Sequence, residues 1–444
     1  MNSSIRIRAS ALEFPITPPI GFAMEGYASR EGPSIGIHDD LYARVLAIEA
    51  GDRRQVIVVC DVLWITREFA TRVREMIKGL TGLMDEEILL AATHTHSGPV
   101  LNESTQCWLD TVTRAIAGGV QSAFNSLEPV RVKFAAIDMP GIGKNRRKPT
   151  GSTDPGLSIL AFGRADSDDP LAMLYNFTCH PVVLGPRNRL YTGDYPAYIS
   201  QTLKKVYGSQ LVTIFTSGAQ GDINIGHTAE ASAIGEFIPG RTFENAARIG
   251  RRIAGGVIQA IEDAQELPAP SIRSATREIS FRYRDLPPLD VIKKEIDELK
   301  RRIEDLTKSS REDDPALREA KIELLYKEIE ASQVEERSLV DGHERRSLLQ
   351  GLRIGDIYIA AWPGEFFVEL GLELKSYMAH MGSRLFIVGY ANDYVGYVPT
   401  REAWGEGGYE AVACPFTEDA GDLVVRETKD LLDELREGSR GEAP

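Results

Sequence analysis

The chain has 444 residues, 43% of them hydrophobic, and 51 basic against 65 acidic side chains give it a formal charge of −14 at pH 7. That length can bury a large core without staples, and the acidic balance excludes a generic nucleic-acid binder, which needs a concentrated cationic surface to release counterions. Four cysteines, at positions 60, 107, 179 and 414, contain no CxxC pair, so neither a disulfide framework nor a four-cysteine zinc knuckle is expected. With no apolar leader at the N-terminus and no membrane-length apolar run, a cytoplasmic protein without a transmembrane segment is expected.

In chain order, Leu41–Glu49 and Arg54–Asp61 alternate apolar and polar residues around the Ala50-Gly51-Asp52 turn and predict two paired strands. Thr66–Lys78 has helical spacing through Ala70, Val73, Met76 and Ile77, and Glu87–Ala92 is a strand-sized apolar run ending at a histidine-rich turn. Helices are predicted at Thr111–Phe124, Ala197–Tyr207 and Phe243–Ala264. Strands are predicted at Val130–Ile137, Ser158–Ala161, Met173–Thr178 and Leu211–Thr216. The fold class expected is α/β, a mixed sheet core flanked by helices.

Residues 288–336 are dominated by Glu, Lys, Arg and Leu/Ile. Ile292, Ile296, Leu299, Ile303 and Leu306 alternate spacings of four and three, and Leu317, Leu324, Leu325 and Ile329 mark a second face. With a turn at Thr307–Pro315, this predicts an antiparallel helical hairpin inserted into the domain, a structural or self-associating arm through which a homo-oligomer would form. Core character returns at Leu352–Trp362, before Pro363-Gly364-Glu365-Phe366, and a further strand, Leu385–Ala391, leads into Asn392–Thr400. One domain over 1–444 is expected.

Three of the seven histidines sit in two turns that follow predicted strands, His94-Thr95-His96 and His180-Pro181. Neutral imidazoles bind zinc well and a rigid strand end places them accurately, so a metal site is one reading; ordinary polar packing is the other. Arg146 lies in the basic run Lys144–Lys148, which also reads as a solvated loop.

Taken together, Gly26-Tyr27, Gly36-Ile37-His38-Asp39, THTHSGP, TCHP, TGDYP, GAQGD, PGEF and DYVGYVPT occur in an order that resembles the neutral/alkaline ceramidase family, in its N-terminal catalytic domain. The resemblance covers nearly all of the chain outside the helical insertion. It implies a Zn2+ held by His94, His180, Glu365 and Tyr397. Tyr397 rather than Tyr394 is chosen because it directly precedes VPT, and it is also a candidate donor to an oxyanion. His96 is implied as a neighbour or transition-state hydrogen-bond donor, with a structural role or an exchange of roles with His94 as alternatives. Arg146 matches an arginine near the reactive centre, and Asp194 is expected to orient His180 or organise its turn.

The family's GDVSPN is replaced here by Gly221-Asp222-Ile223-Asn224-Ile225-Gly226. Asn224 stands where the family has a serine, and an amide cannot act as a serine nucleophile. Activated water is therefore the expected nucleophile, with Asp222 or a water chain moving the proton. The implied activity is zinc-dependent hydrolysis of the amide of a small-molecule N-acyl substrate. Ceramide is one such substrate, a soluble amide such as an N-acyl amino sugar or peptide-like compound is another, and a non-catalytic metal-stabilised assembly protein is a third reading.

Overall fold

The computed structural model describes residues 7–167, 169–268, 270–309, 314–338 and 342–437. Twelve strands and eight long helices carry the fold. The strands are β1 (Arg8–Pro15), β2 (Tyr42–Ala50), β3 (Arg53–Cys60), β4 (Ile88–Ala92), β5 (Glu128–Asp138), β6 (Gly156–Arg164), β7 (Pro170–Phe177), β8 (Val212–Ser217), β9 (Ile272–Arg282), β10 (Glu344–Ile354), β11 (Ile357–Ala361) and β12 (Arg384–Val388). The helices are α1 (Arg67–Thr81), α2 (Gln106–Asn125), α3 (Asp194–Tyr207), α4 (Phe243–Glu262), α5 (Leu289–Ser309), α6 (Pro315–Ser338), α7 (Val368–His380) and α8 (Ala420–Glu437).

The core contains two sheets. The larger runs β8-β7-β6-β5-β1-β2-β3-β4, and the smaller runs β9-β10-β11-β12. Residues such as Leu46, Ile57, Phe134 and Leu160 of the first meet Leu352, Ile359 and Phe386 of the second in one buried cluster. Outer faces are covered by helices, α1 and α2 on one part of the large sheet, α3 and α4 on another, and α7 and α8 on the small sheet. Strands covered on both faces read as continuous apolar runs, and β4 is buried along its whole length.

Local chemistry sets the element ends. Thr66 caps α1 by accepting the Phe69 N–H, so it precedes the helix that sequence spacing starts at that residue, and Gly82 at φ 69 closes it in the left-handed region. In α2, Trp108, Leu109, Val112, Ile116 and Val120 form the buried stripe, each contributing roughly 1.5–3 kcal/mol of burial. That helix starts five residues before the predicted Thr111, after a single turn capped by Asn102. The core stretch Leu352–Trp362 resolves into β10 and β11, which turn at Gly355.

Most strand neighbours are antiparallel, but β3/β4, β7/β8 and β11/β12 run parallel. The C-terminal ends of β4, β7, β8, β11 and β12 release His94, His180, Asp222, Glu365 and the segment Tyr390–Tyr397. Loops leaving such ends are where α/β folds gather ligands. The two sheets are stitched there: Ala92 N donates to Tyr390 O at 3.2 Å, Asn392 N to Leu90 O at 2.9 Å and Gly389 N to Ser217 O at 2.9 Å.

The hairpin forms as α5 and α6, while residues 310–313 of the expected turn lie outside the described residues. Its apolar stripe is used internally, with Ile292, Ile296 and Ala331 buried against one another. Among the described residues no helix is long and apolar enough to cross a membrane, and all four cysteines are free.

Candidate metal centre

His94 leaves β4 with φ 66, a left-handed conformation that non-glycine residues hold only where their surroundings enforce it. Its N–H donates to Val62 O at 3.0 Å. Three carbonyls then orient three imidazoles: His94 Nδ1 lies 2.8 Å from Leu63 O, His96 Nδ1 2.8 Å from Gly26 O, and His180 Nδ1 3.0 Å from Ile223 O. A carbonyl only accepts, so each Nδ1 carries the proton and each Nε2 presents a lone pair. Gly26 is at φ 104, and a Cβ there would meet the His96 ring at 2.6 Å.

The ligand atoms of His94, His96 and His180 all lie within 4.8 Å of one another, with the Nε2 atoms of His94 and His96 only 3.1 Å apart. Glu365 Oε2 sits 2.9 Å from His180 Nε2 and 3.7 Å from His94 Nε2. Lone pairs facing one another in a dry pocket repel unless a cation lies among them, so this donor set fits a zinc-like ion. Burial holds the His94 imidazole down at about 3, keeping it neutral and able to ligate. Burial alone would raise the Glu365 carboxyl, but His94, His180 and the Tyr394 hydroxyl outweigh it and hold it at about 2.

The other predicted residues divide between this cluster and its scaffolding. Tyr394 OH donates to Glu365 Oε1 at 2.6 Å and Trp64 stacks on the Tyr394 ring at 4.1 Å. Tyr397 pairs with Glu365 in a two-residue parallel ladder, and its hydroxyl accepts from Arg146 Nη2 at 3.1 Å. Arg146 is buried rather than solvated, anchored through Nε to Glu410 Oε1 at 2.7 Å, and Arg147 takes the other Glu410 oxygen at 2.9 Å.

Asp194 touches the backbone after His180 rather than its ring, accepting from Leu184 N at 3.1 Å and Tyr195 N at 2.6 Å. Asp222 accepts from Asn145 Nδ2 at 2.7 Å and Val368 N at 2.9 Å, and it lines a separate cavity of about 260 Å³ with Glu369 and Glu402. Asn224 closes its own turn, its Oδ1 accepting from Gly226 N at 2.7 Å and its Nδ2 donating to His227 O at 2.8 Å. Gly221 lets that turn approach the backbone of Glu365, since a Cβ there would lie 2.6 Å from the Glu365 carbonyl oxygen.

His94 and His96 open onto a cavity of about 900 Å³ whose wall also includes Glu365, Tyr394, Tyr397 and Tyr409. Sequence reasoning missed three residues beside them. Tyr390 stacks on His94 at 3.7 Å and accepts from Gln220 Nε2 at 3.2 Å. Glu410 carries no local signature. Glu25, whose carboxyl is pushed up to about 7 chiefly by burial, faces the same cavity.

A helix-covered pair of sheets gathers a histidine cluster, a potential metal-binding site, at its strand ends. Residues 15–233 match the family model described as "Neutral/alkaline non-lysosomal ceramidase, N-terminal", so the N-terminal region of the chain matches the family its motifs resemble. The chain is 26% identical over 448 residues to the "Neutral ceramidase" of Pseudomonas aeruginosa, covering 87% of this chain and 66% of that protein. It is 22% identical over 486 residues to the "Neutral ceramidase" of Mycobacterium tuberculosis, covering 94% and 75%. The crystal structure of neutral ceramidase from Pseudomonas aeruginosa superposes with a TM-score of 0.76 at 21% identity, over 98% of this chain and 75% of that one. The mixed sheet core with flanking helices is thus shared with that structure, and the chain spans about two thirds of the length of the Pseudomonas relative.

Proposed function

We propose that the protein is a zinc-dependent amidohydrolase that cleaves the amide bond of an N-acyl compound with activated water. The observation that carries this reading is the convergence of three Nε2 lone pairs and the Glu365 carboxylate beside a substrate-sized cavity that His94, His96 and Glu365 line. His94, His180 and Glu365 are the residues that would hold zinc, with Tyr397 the fourth ligand or the oxyanion donor. Zinc bound there supplies a Lewis acid for the scissile carbonyl and lowers the pKa of water.

The side chains around it have complementary tasks. Because Tyr397 OH accepts from Arg146, its own proton is free to be donated to an oxyanion, and Arg146 adds a fixed positive charge behind it. His96 Nδ1–H is engaged by Gly26 O, so its Nε2 can take a proton from the attacking water and return it to the leaving amine. Asn224 is occupied by its own turn, which agrees with water rather than a side-chain oxygen as nucleophile. Free cysteines fit a reducing, cytoplasmic setting.

The test is elemental analysis of zinc in the wild type and in His94→Ala and His180→Ala, combined with detection of acid and amine released from N-acyl probes. About one zinc per chain, lost in both folded variants together with turnover, is the expected result. Unchanged zinc occupancy in both variants, or a zinc-loaded protein that turns over no amide, refutes the reading.

A further inference from the structure

One wall of the histidine cavity is built by the inserted hairpin. Ile329, Ser332, Gln333, Glu336 and Arg337 of α6 line it, and spacings of three, one, three and one place all five on a single helical stripe. The opposite stripe faces α5, where Leu324, Ala331 and Val334 pack against Ile292 and Ile296.

This helix is tied to the body. Gln333 Nε2 donates to Val412 O at 3.0 Å while Gln333 Oε1 accepts from Arg284 Nη2 at 3.1 Å, Arg337 Nη1 donates to Arg284 O at 3.2 Å, and Tyr326 OH donates to Glu230 Oε1 at 2.8 Å.

Four of the five cavity-facing residues are polar. Glu336 accepts the Ser332 hydroxyl at 3.2 Å. Arg337 meets the Arg284 carbonyl, His343 Nδ1 at 3.0 Å and the face of Tyr283, and it has no carboxylate partner among the described residues. By contrast, Arg67 and Arg345 on the same rim share one carboxylate partner, Asp393. A two-chain lipid seated against α6 would strip water from Glu336 and Arg337 and return no hydrogen bond for it.

We infer that α6 is the substrate-selecting wall of the site and that the site takes a hydrophilic N-acyl compound, whose polar groups beyond the scissile amide hydrogen-bond Ser332, Glu336 and Arg337. The bond that is cut rests on the amidohydrolase reading above, whereas the preference of the wall is a binding property that needs no turnover.

The experiment is titration calorimetry of the zinc-supplemented full-length protein with N-acetyl-D-glucosamine, N-acetyl-L-glutamine and monomeric N-acetylsphingosine. The wild type is expected to bind at least one hydrophilic probe about tenfold or more tighter than the sphingoid amide, and Glu336→Leu/Arg337→Leu should lose about tenfold on that probe, one decade of Kd being the resolvable unit. Arg337→Gln, which keeps helix propensity and an amide donor, is the second variant and should lose about threefold. Tighter binding of N-acetylsphingosine, binding of neither hydrophilic probe, or an unmoved Kd in a folded Arg337→Gln overturns the inference. Selective binding with no amide of any kind turned over sinks the amidohydrolase reading and leaves the wall. Turnover with the sphingoid amide bound best does the reverse.

Discussion

Tyr394 and Tyr397 both lie beside Glu365, one through its hydroxyl and one through its backbone, and their hydroxyls hold different partners. Tyr394 gives its proton to Glu365 Oε1, while Tyr397 is turned toward Arg146. Removing a hydrogen bond that orients a metal ligand costs roughly 10–100-fold in metal affinity, whereas removing an oxyanion donor costs roughly 10²–10³ in kcat. Tyr394→Phe is therefore expected to weaken zinc retention in a chelator competition, with Tyr397→Phe keeping its zinc and losing turnover. The opposite pattern would make Tyr397 the fourth ligand rather than the oxyanion donor. Both tyrosines lie in the DYVGYVPT segment, where adjacency to VPT singles out Tyr397, and the partners of the two hydroxyls are set by the fold.

At the scale of elements, Asp222 is a clamp. It joins the turn after β8 to Asn145, beside Arg146, and to the first N–H of α7, just after Glu365. Burial first, and then Glu369, push its carboxyl up to about 7 from the ordinary 3.8. A folded pKa above the unfolded one means that the native state holds the proton more tightly. This contribution is intact below about pH 4 and is lost as pH rises to about 7, an amount on the order of 4 kcal/mol. Asp222→Asn should flatten the fall of the urea midpoint between those pH values, although Glu25 and Asp194, raised to about 7 and about 6, keep part of the slope. An unchanged slope in the variant would show that Asp222 is ionised in the native state throughout. It lines the smaller 260 Å³ cavity and is not among the residues lining the 900 Å³ one.

For the molecule as a whole, the centre lies in the seam where the C-terminal ends of two sheets meet, and the hairpin closes one side of it. Because Ile296 is 8% exposed and packs inside the hairpin, Ile296→Asp buries an unpaired charge at a cost on the order of a few kcal/mol. Hydrogen exchange should then show α5 and α6 losing protection while β4, β7 and β11 keep theirs. Uniform loss of protection would mean that the hairpin and the sheets unfold as one unit. Ile292 and Ile296 of the predicted stripe are engaged within the hairpin, and the opposite face of α6 is turned to the cavity.

Much of this was legible in the residues. Period-2 and continuous apolar runs located β2 to β8, a 3.6 period located the hairpin, and the histidine turns announced themselves at strand ends because a buried strand must stop where polar side chains begin. No element is predicted at β9, α7 or α8, whose buried faces pack on each other and on β10 and β11. Only the tertiary structure decided the rest. Arg146 meets Glu410 across 264 residues and Tyr397 across 251, and His180 meets Glu365 across 185. The order of two sheets, the division of labour between Tyr394 and Tyr397, and the turning of one charged helical stripe into a cavity wall follow from such contacts. Local sequence fixes the period and end of each element, but which faces meet is set by the joint burial of surfaces far apart in the chain.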